Sequence, residues 1–157
     1  MQENDRADFL AYYMDPDVAP LLGGHAQTDA RSAEVMFHGH CVSPCVWALA
    51  QKTTGRVIGD VHLGEIVGMH LAHIGYLLHR DVRGSGLGRE AVHAIVRYAL
   101  EETPIRRIRA VVLTRNQPSI RLLESCGFQR EAMLRDGNYG GRVEDIYYYS
   151  ISKNDLR

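Results

Sequence analysis

The sequence predicts an α/β fold, a mixed and mostly antiparallel central sheet with helices on both faces. Three observations carry that prediction. Apolar runs at residues 46–50, 57–63 and 70–79, separated by short turns, read as a three-stranded meander. The period then changes: Leu87, Ala91, Ala94, Ile95 and Tyr98 fall on one face of a helix that ends near Glu102. The rest alternates strand, helix, strand, strand, an order that lays helices against a sheet.

Each element has a local reason. A short helix over residues 5–13 is stopped by Asp15-Pro16, because proline disfavours helix in the residue before it. Gly23-Gly24 breaks the chain, and a second helix is expected over residues 29–38 with Thr28 or Asp29 as its cap. Lys52-Thr53-Thr54-Gly55 turns the first strand into the second, and a turn over 64–68 leads into the third. Gly75 inside that third strand implies a bulge or the close approach of another backbone. Pro104 marks the exit from the long helix, and residues 107–113 alternate around an apolar centre as a strand. Pro118 suits the first turn of a further helix that ends at Gly127. Two strands, 128–134 and 142–151, then flank a turn over 136–141.

Bulk properties set the frame. A chain of 157 residues, 45% hydrophobic and 24% charged, fits one globular domain over residues 1–157. With 18 basic and 19 acidic residues the net charge is -1, which argues against a nucleic-acid binder while leaving room for a local phosphate site. No apolar run reaches the roughly 20 residues of a membrane span. The start MQENDRADFL lacks the order of a signal peptide, and three cysteines make no disulfide framework, so a cytoplasmic protein is expected.

The segment with most chemical content is Arg83-Gly84-Ser85-Gly86-Leu87-Gly88-Arg89, between a strand and a helix. Glycines let successive backbone N–H groups converge on one spot, and the helix adds its positive end, so the spot suits a pyrophosphate. Arg83 and Arg89 can add charge-assisted bonds. The spacing is too short for a dinucleotide fingerprint, and no Lys-Ser or Lys-Thr follows as in a Walker loop.

This R-x-x-G-x-G pattern resembles the coenzyme A pyrophosphate loop of the GNAT N-acetyltransferases. The stretch from Asn116 through Ser119 to Gly127-Phe128 and Glu131 resembles the branch of the ribosomal-protein N-terminal acetyltransferases. Ile74-Gly75-Tyr76-Leu77-Leu78 and the ending Arg142-Val143-Glu144-Asp145-Ile146-Tyr147 resemble the same branch. Relatives in that branch begin with a strand before the first helix, and this chain starts almost at the helix. The fold is therefore expected to be GNAT-like with its first strand absent, leaving a sheet edge that a second copy can cover in a homodimer.

The resemblance implies an acetyl-CoA-dependent transfer to a primary amine, by direct attack in a ternary complex and without a metal. The acceptor would be a protein N-terminus or a small-molecule amine. A non-catalytic acyl-CoA sensor is the alternative. By analogy, Gly84 to Arg89 hold the pyrophosphate, Asn116 contacts the cofactor arm, and backbone groups at Leu77 and Leu78 pair with the pantetheine and polarise the thioester carbonyl. Many GNAT enzymes carry a tyrosine acid on the helix after the asparagine; Leu123 stands there in this chain. Ser119 matches a serine proposed as acid in the ribosomal branch, with a structural role as the other reading. The position five residues before the asparagine, acidic in some relatives, is Val111, and Asn138 stands where the ribosomal branch can carry a glutamate near the penultimate hairpin. His73 stands where relatives have glutamate and can act as base directly or through water; a polar residue on a solvent face is the other reading. Glu65 is a second candidate.

The cluster His38-Gly39-His40-Cys41 with Cys45 lacks a second ligand pair at zinc-finger spacing and reads as a helix end followed by a buried thiol. Cys126 reads as a packed thiol, and Glu131 and Asp145 as structural acids.

Overall fold

The computed structural model describes residues 1–22 and 29–156. Its helices are α1 (Arg6–Tyr13), α2 (Ala30–Val42), α3 (Leu87–Glu102) and α4 (Gln117–Ser125). Its strands are β1 (Val46–Ala50), β2 (Val57–Val67), β3 (Leu71–Leu78), β4 (Arg107–Leu113), β5 (Gln129–Tyr139) and β6 (Arg142–Ser152). They form one six-stranded sheet in the order β1-β2-β3-β4-β6-β5, antiparallel throughout except for β3 beside β4.

The alternation of side chains along each strand splits the core into two layers. On one face Val61, Ala72, Ile108, Ala110 and Val112 meet Val92, Val96 and Ala99 of α3 and Ile120 and Leu123 of α4. On the other, Val57, Ala48 and Leu77 pack with Phe9, Tyr12 and Tyr13 of α1 and Ala33 and Phe37 of α2. Helices thus cover both faces, as the sequence predicts. Among the described residues no strand precedes Val46, and β1 is an edge with β2 as its neighbour.

Several boundaries move for physical reasons. Asp29 is the cap of α2, its carboxylate accepting the Ser32 N–H at 2.8 Å; Thr28 and Gly23-Gly24 lie outside the described residues. That helix runs four residues past the expected end, through Gly39, because Phe37 and His40 share its buried face. Pro44 then holds Ser43 extended and stops it. Strand β2 continues through the expected turn to Val67 by a register shift around Glu65, whose φ is 45°. Strand β5 likewise extends to Tyr139 past Asp136, at φ 51°. The hairpin turn shrinks to Gly140-Gly141, both at positive φ.

Asp15, just past α1, is 4% exposed and ties this end of the chain to the segment after β3. Its carboxylate takes the Arg80 guanidinium and, at 3.0 Å, that of Arg83, while Arg83 Nε also donates to the Leu78 carbonyl at 3.0 Å. The hydrogen bond from Arg80 holds the Asp15 carboxyl far below the usual range, against its burial. A depressed folded-state value stabilises the fold above the unfolded carboxylate value and loses that contribution as pH falls through the folded one. Asp15→Asn is therefore expected to lower the urea midpoint at pH 7. The gap to wild type should stay full down to about pH 4 and narrow in stronger acid. Unfolding curves at pH 7 and below pH 3 check this.

Candidate active site

Strands β3 and β4 pair over only three positions, Leu71 with Arg107, Ala72 with Ile108 and His73 with Arg109, and then part. The His79 N–H is spent on Ile58 of β2, and the His70 carbonyl on Arg106 and Arg107. The two-residue alternation between these points turns the backbone of Gly75 and Leu77 toward β2. It turns that of Ile74, Tyr76 and Leu78 into the gap. From the other side Val111 and Leu113 face the same gap. Such a row of polar groups lacks the parallel partner that would complete the sheet.

The gap opens into a cleft of about 780 Å³. At its mouth the turn after β3 carries Gly84 and Gly86 at φ 76° and 87°, values that favour glycine. Gly86 caps α3, and the first bond closing that helix is Glu90 N–H to Gly86 O, so the N–H groups of Leu87, Gly88 and Arg89 have no acceptor within the helix. Sixteen aligned peptide units add a partial positive charge there. Gly88 is required by packing: a Cβ would lie 2.7 Å from Leu78 and 2.9 Å from Leu122 side-chain atoms.

On the α3/α4 face of the gap, Asn116 caps α4 by accepting the Ser119 N–H at 3.3 Å. The Ser119 hydroxyl meets the Tyr76 hydroxyl at 2.6 Å, and burial pushes Tyr76 well above the usual tyrosine range. On the α1/α2 face, Asp60 is 2% exposed and accepts the Tyr12 hydroxyl at 2.9 Å, with His62 Nδ1 3.2 Å and His40 Nε2 3.8 Å from its other oxygen. The donor atoms of His40, Asp60 and His62 lie within 4.8 Å of one another. A tetrahedral ion with bonds of about 2.0–2.2 Å would draw donors to roughly 3.3–3.6 Å apart. As it stands Asp60 is hydrogen-bonded to Tyr12 and His62, and His40 Nε2, at 3.8 Å, lies beyond hydrogen-bond reach.

A sheet splayed beside a glycine turn and a helix N-terminus is the shape expected of the family that the sequence resembles, and comparison with known proteins decides the matter. The family described as "Acetyltransferase (GNAT) domain" matches residues 1–129. The uncharacterized N-acetyltransferase p20 of Bacillus licheniformis is 33% identical over 164 residues, covering 98% of this chain and 90% of its own. This chain belongs to the GNAT acetyltransferase family. The [ribosomal protein uS5]-alanine N-acetyltransferase of Escherichia coli is a further relative, 32% identical over 83 residues, 52% of this chain and 43% of that one. In fold the acetyltransferase is similar to spermidine N-acetyltransferase from Vibrio cholerae in complex with CoA and spermine, with a TM-score of 0.81, 17% identity, and coverage of 99% and 94% of the two chains. The protein is an N-acetyltransferase.

Within this acetyltransferase the residues singled out from sequence fall into two groups. Leu77, Leu78, Arg83, Gly84, Gly86, Gly88, Arg89, Asn116 and Ser119 all line the cleft, with Ser85 and Leu87 in the same turn. Three are engaged differently from expectation. Leu77 turns its backbone to β2 and its side chain toward α1 and α2, Arg83 is committed to Asp15 and the Leu78 carbonyl, and Arg89 Nε reaches the Ser125 carbonyl at 3.3 Å. His73 and Glu65 are not part of the cleft lining. They sit at the closed end, where β3 and β4 still pair, and meet each other at 3.7 Å.

Gly75 makes room for an imidazole instead of another backbone: its Cβ would lie 2.3 Å from His62 Nε2. His40 joins Asp60 and His62, with neither Cys41 nor Cys45 in the cluster. Tyr76, Asp60 and His62 are the site residues that sequence reasoning passed over; an Asp-x-His on one strand face, opposite a glycine in the next strand, was the available signal. The Cys126 thiol is 5% exposed, directed at the Arg89 carbonyl and pushed up by burial, a packed side chain and not a nucleophile. Glu131 accepts the Ser150 hydroxyl and lies 4.0 Å from Arg107, and Asp145 accepts the Asp136 N–H at 3.0 Å, both structural roles.

The two helix-start glycines should separate in a substitution test. Gly86→Ala has open space around its methyl and is expected to cost about 1 kcal/mol from its positive φ alone. Gly88→Ala must displace Leu78 and Leu122 and is expected to cost about 1–3 kcal/mol. Chemical denaturation of the two variants, side by side, reads the difference.

Proposed function

We propose that this chain transfers the acetyl group of acetyl-CoA to a primary amine by direct attack in a ternary complex. The observation that carries the reading is the one-sided pairing of β3 beside a glycine turn that opens a helix. The pantetheine arm, which has two amides, fits the gap as an added strand, hydrogen-bonded to the backbone of Ile74, Tyr76 and Leu78. An N–H of that row polarises the thioester carbonyl and stabilises the oxyanion formed on attack. The N–H groups from Gly84 to Arg89, with the α3 dipole, hold the pyrophosphate. Arg121, which lines the same cleft, supplies charge, while Arg83 acts through the turn it braces.

Asn116 holds the start of α4 and so presents Ser119 to the arm. The Tyr76–Ser119 hydroxyl pair is the proton source for the departing sulfur. Burial keeps Tyr76 protonated through the working pH range, so it remains a donor, and Ser119 relays or orients that proton. The acceptor enters from the α1/α2 side, past Tyr13, Val18, Leu21, Leu22 and Met36. Walls of that kind suit an amine borne on an apolar body, whether a protein N-terminus or a small molecule.

Isothermal titration with acetyl-CoA, beside ATP and NAD, tests the donor. Micromolar binding of acetyl-CoA alone is expected, abolished in Gly86→Trp; equal binding of ATP or NAD would contradict the reading. Thiol release measured with a panel of primary amines tests the transfer. In that assay Tyr76→Phe is expected to lower kcat by about 10- to 100-fold, with the affinity for acetyl-CoA nearly unchanged.

A further inference from the structure

The cleft needs a group that removes a proton from the incoming amine, and the residues expected from sequence to do so lie outside it. Of the titratable side chains lining the cleft among the described residues, Arg83, Arg89 and Arg121 are cations, and Tyr13, Tyr76 and Tyr139 are all raised by burial. That leaves Asp60, His40 and His62. Asp60 is sealed in, one oxygen on the Tyr12 hydroxyl and the other facing both imidazoles. His40 is 8% exposed, and its burial lowers its tendency to protonate. His62, with a side chain 40% exposed, is the one of the three that reaches the open space.

We infer that His62, oriented by Asp60, is the general base of this acetyltransferase. Asp60 accepts from Nδ1 at 3.2 Å, which puts the ring proton on Nδ1 and leaves the Nε2 lone pair bare. Tyr12 fixes the carboxylate in turn, so that Asp60 is a positioning residue held from both sides. The ring lies over Gly75, where any side chain would collide with Nε2, and Gly75 adjoins Tyr76, whose backbone faces the gap. His62 is thereby directed at the strand beside which the thioester must lie. The neutral His40 ring, 5.6 Å away between centroids, adds a polar wall without a competing cation.

The assignment rests on the acetyl-transfer reading above. An ammonium gives one proton to His62 Nε2, which passes it to water. The freed lone pair attacks the carbonyl carbon, and collapse of the adduct breaks the C–S bond. The sulfur leaves as a thiol protonated through the Tyr76–Ser119 pair, and the second nitrogen proton, lost to solvent as the amide forms, balances the one that the pair takes back from solvent. One proton is released overall.

Two measurements test the assignment. In the first, thiol release is followed with an alanine-starting peptide, phenethylamine and spermidine across pH 5.5–9.5. His62→Ala should lower kcat/KM by about 10²- to 10⁴-fold at neutral pH, lose the acidic limb of the profile, recover part of the rate as pH rises, and bind acetyl-CoA as wild type does. Asp60→Asn should shift that limb while retaining some activity. The groups that can move it are Asp60 on the same strand, His40 on α2, Tyr12 and Tyr13 on α1, and the His73–Glu65 pair on the same sheet face. An unchanged rate and profile in His62→Ala would overturn the assignment, as would loss of wild-type activity in EDTA that zinc restores.

The second measurement needs no acceptor. Nitrogen-15 spectra of the imidazoles should show His62 as the Nδ1–H form when neutral, and that preference should disappear in Asp60→Asn. A neutral His62 in the Nε2–H form would overturn the assignment even if acetyl transfer is confirmed. Failure of the wild type to bind acetyl-CoA would instead strike the acetyl-transfer reading.

Discussion

From Ile74 to Leu78, strand β3 has a hydrogen-bonding partner on one side and an opening on the other. A buried strand with one vacant edge leaves strong polar groups to be matched by something other than the sheet, and most of the site follows from that demand. The gap persists because both strands are held from outside. β2 pairs β3 over most of its length, and β6 pairs β4 from Arg107 to Leu113, while side chains from α3 and α4 pack against both strands from one face. Closing the gap would expel Ile74, Ala110 and Val112 from their contacts with the helices, so the splay is a packed state and not a frayed end.

One short segment sets both ends of this opening. Tyr12, at the close of α1, holds Asp60 on β2; Asp15, three residues later, holds Arg83 and Arg80 beyond β3. Arg83 in turn bonds the Leu78 carbonyl, the last polar group of the strand before the glycine turn. The end of α1 therefore links the Asp60 cluster on one side of the cleft to the glycine turn at its mouth. A change in how α1 packs on the sheet would be felt at both places, through Tyr12 and the buried carboxylates of Asp60 and Asp15.

What could be read from the sequence follows the range of each interaction. The glycine turn and the helix that follows it are local, and residues a few positions apart encode them; they stand where expected. The face that α3 buries is a correction: Gly88, Val92, Val96, Ala99 and Leu100 point into the core, whereas Ala94 and Tyr98 of the expected stripe are exposed, because the sheet and α4 decide which side of the helix is covered. The extents of β2 and β5 were hidden because the residues that carry their bulges, Glu65 and Asp136, adopt positive φ with no glycine to announce it. Helix α2 outran its expected end because Gly39 reads as a stop until Phe37 and His40 are seen to share a buried face. The proposed base was hidden in the sequence for a related reason. His73 stands where relatives carry an acid, but it lies where β3 and β4 still pair, and only the register shows that the gap opens after it.

Asp60 and His62 alternate with apolar residues inside β2, and what their shared face does depends on α1 and α2 folding over it from far away in the chain. In the proposed mechanism adjacent positions on β3 divide the chemistry. Gly75 admits the His62 ring on the α1/α2 face, and Tyr76 sends its hydroxyl to Ser119 on the α3/α4 face. A base and an acid must both sit near one reacting centre without neutralising each other, and a strand does this by its period of two, presenting successive residues to opposite sides. A side chain at position 75 would push the imidazole away. In the proposed mechanism the glycine serves the proton chemistry as well as the packing, and its cost in strand propensity is offset by the pairing with β2 that surrounds it.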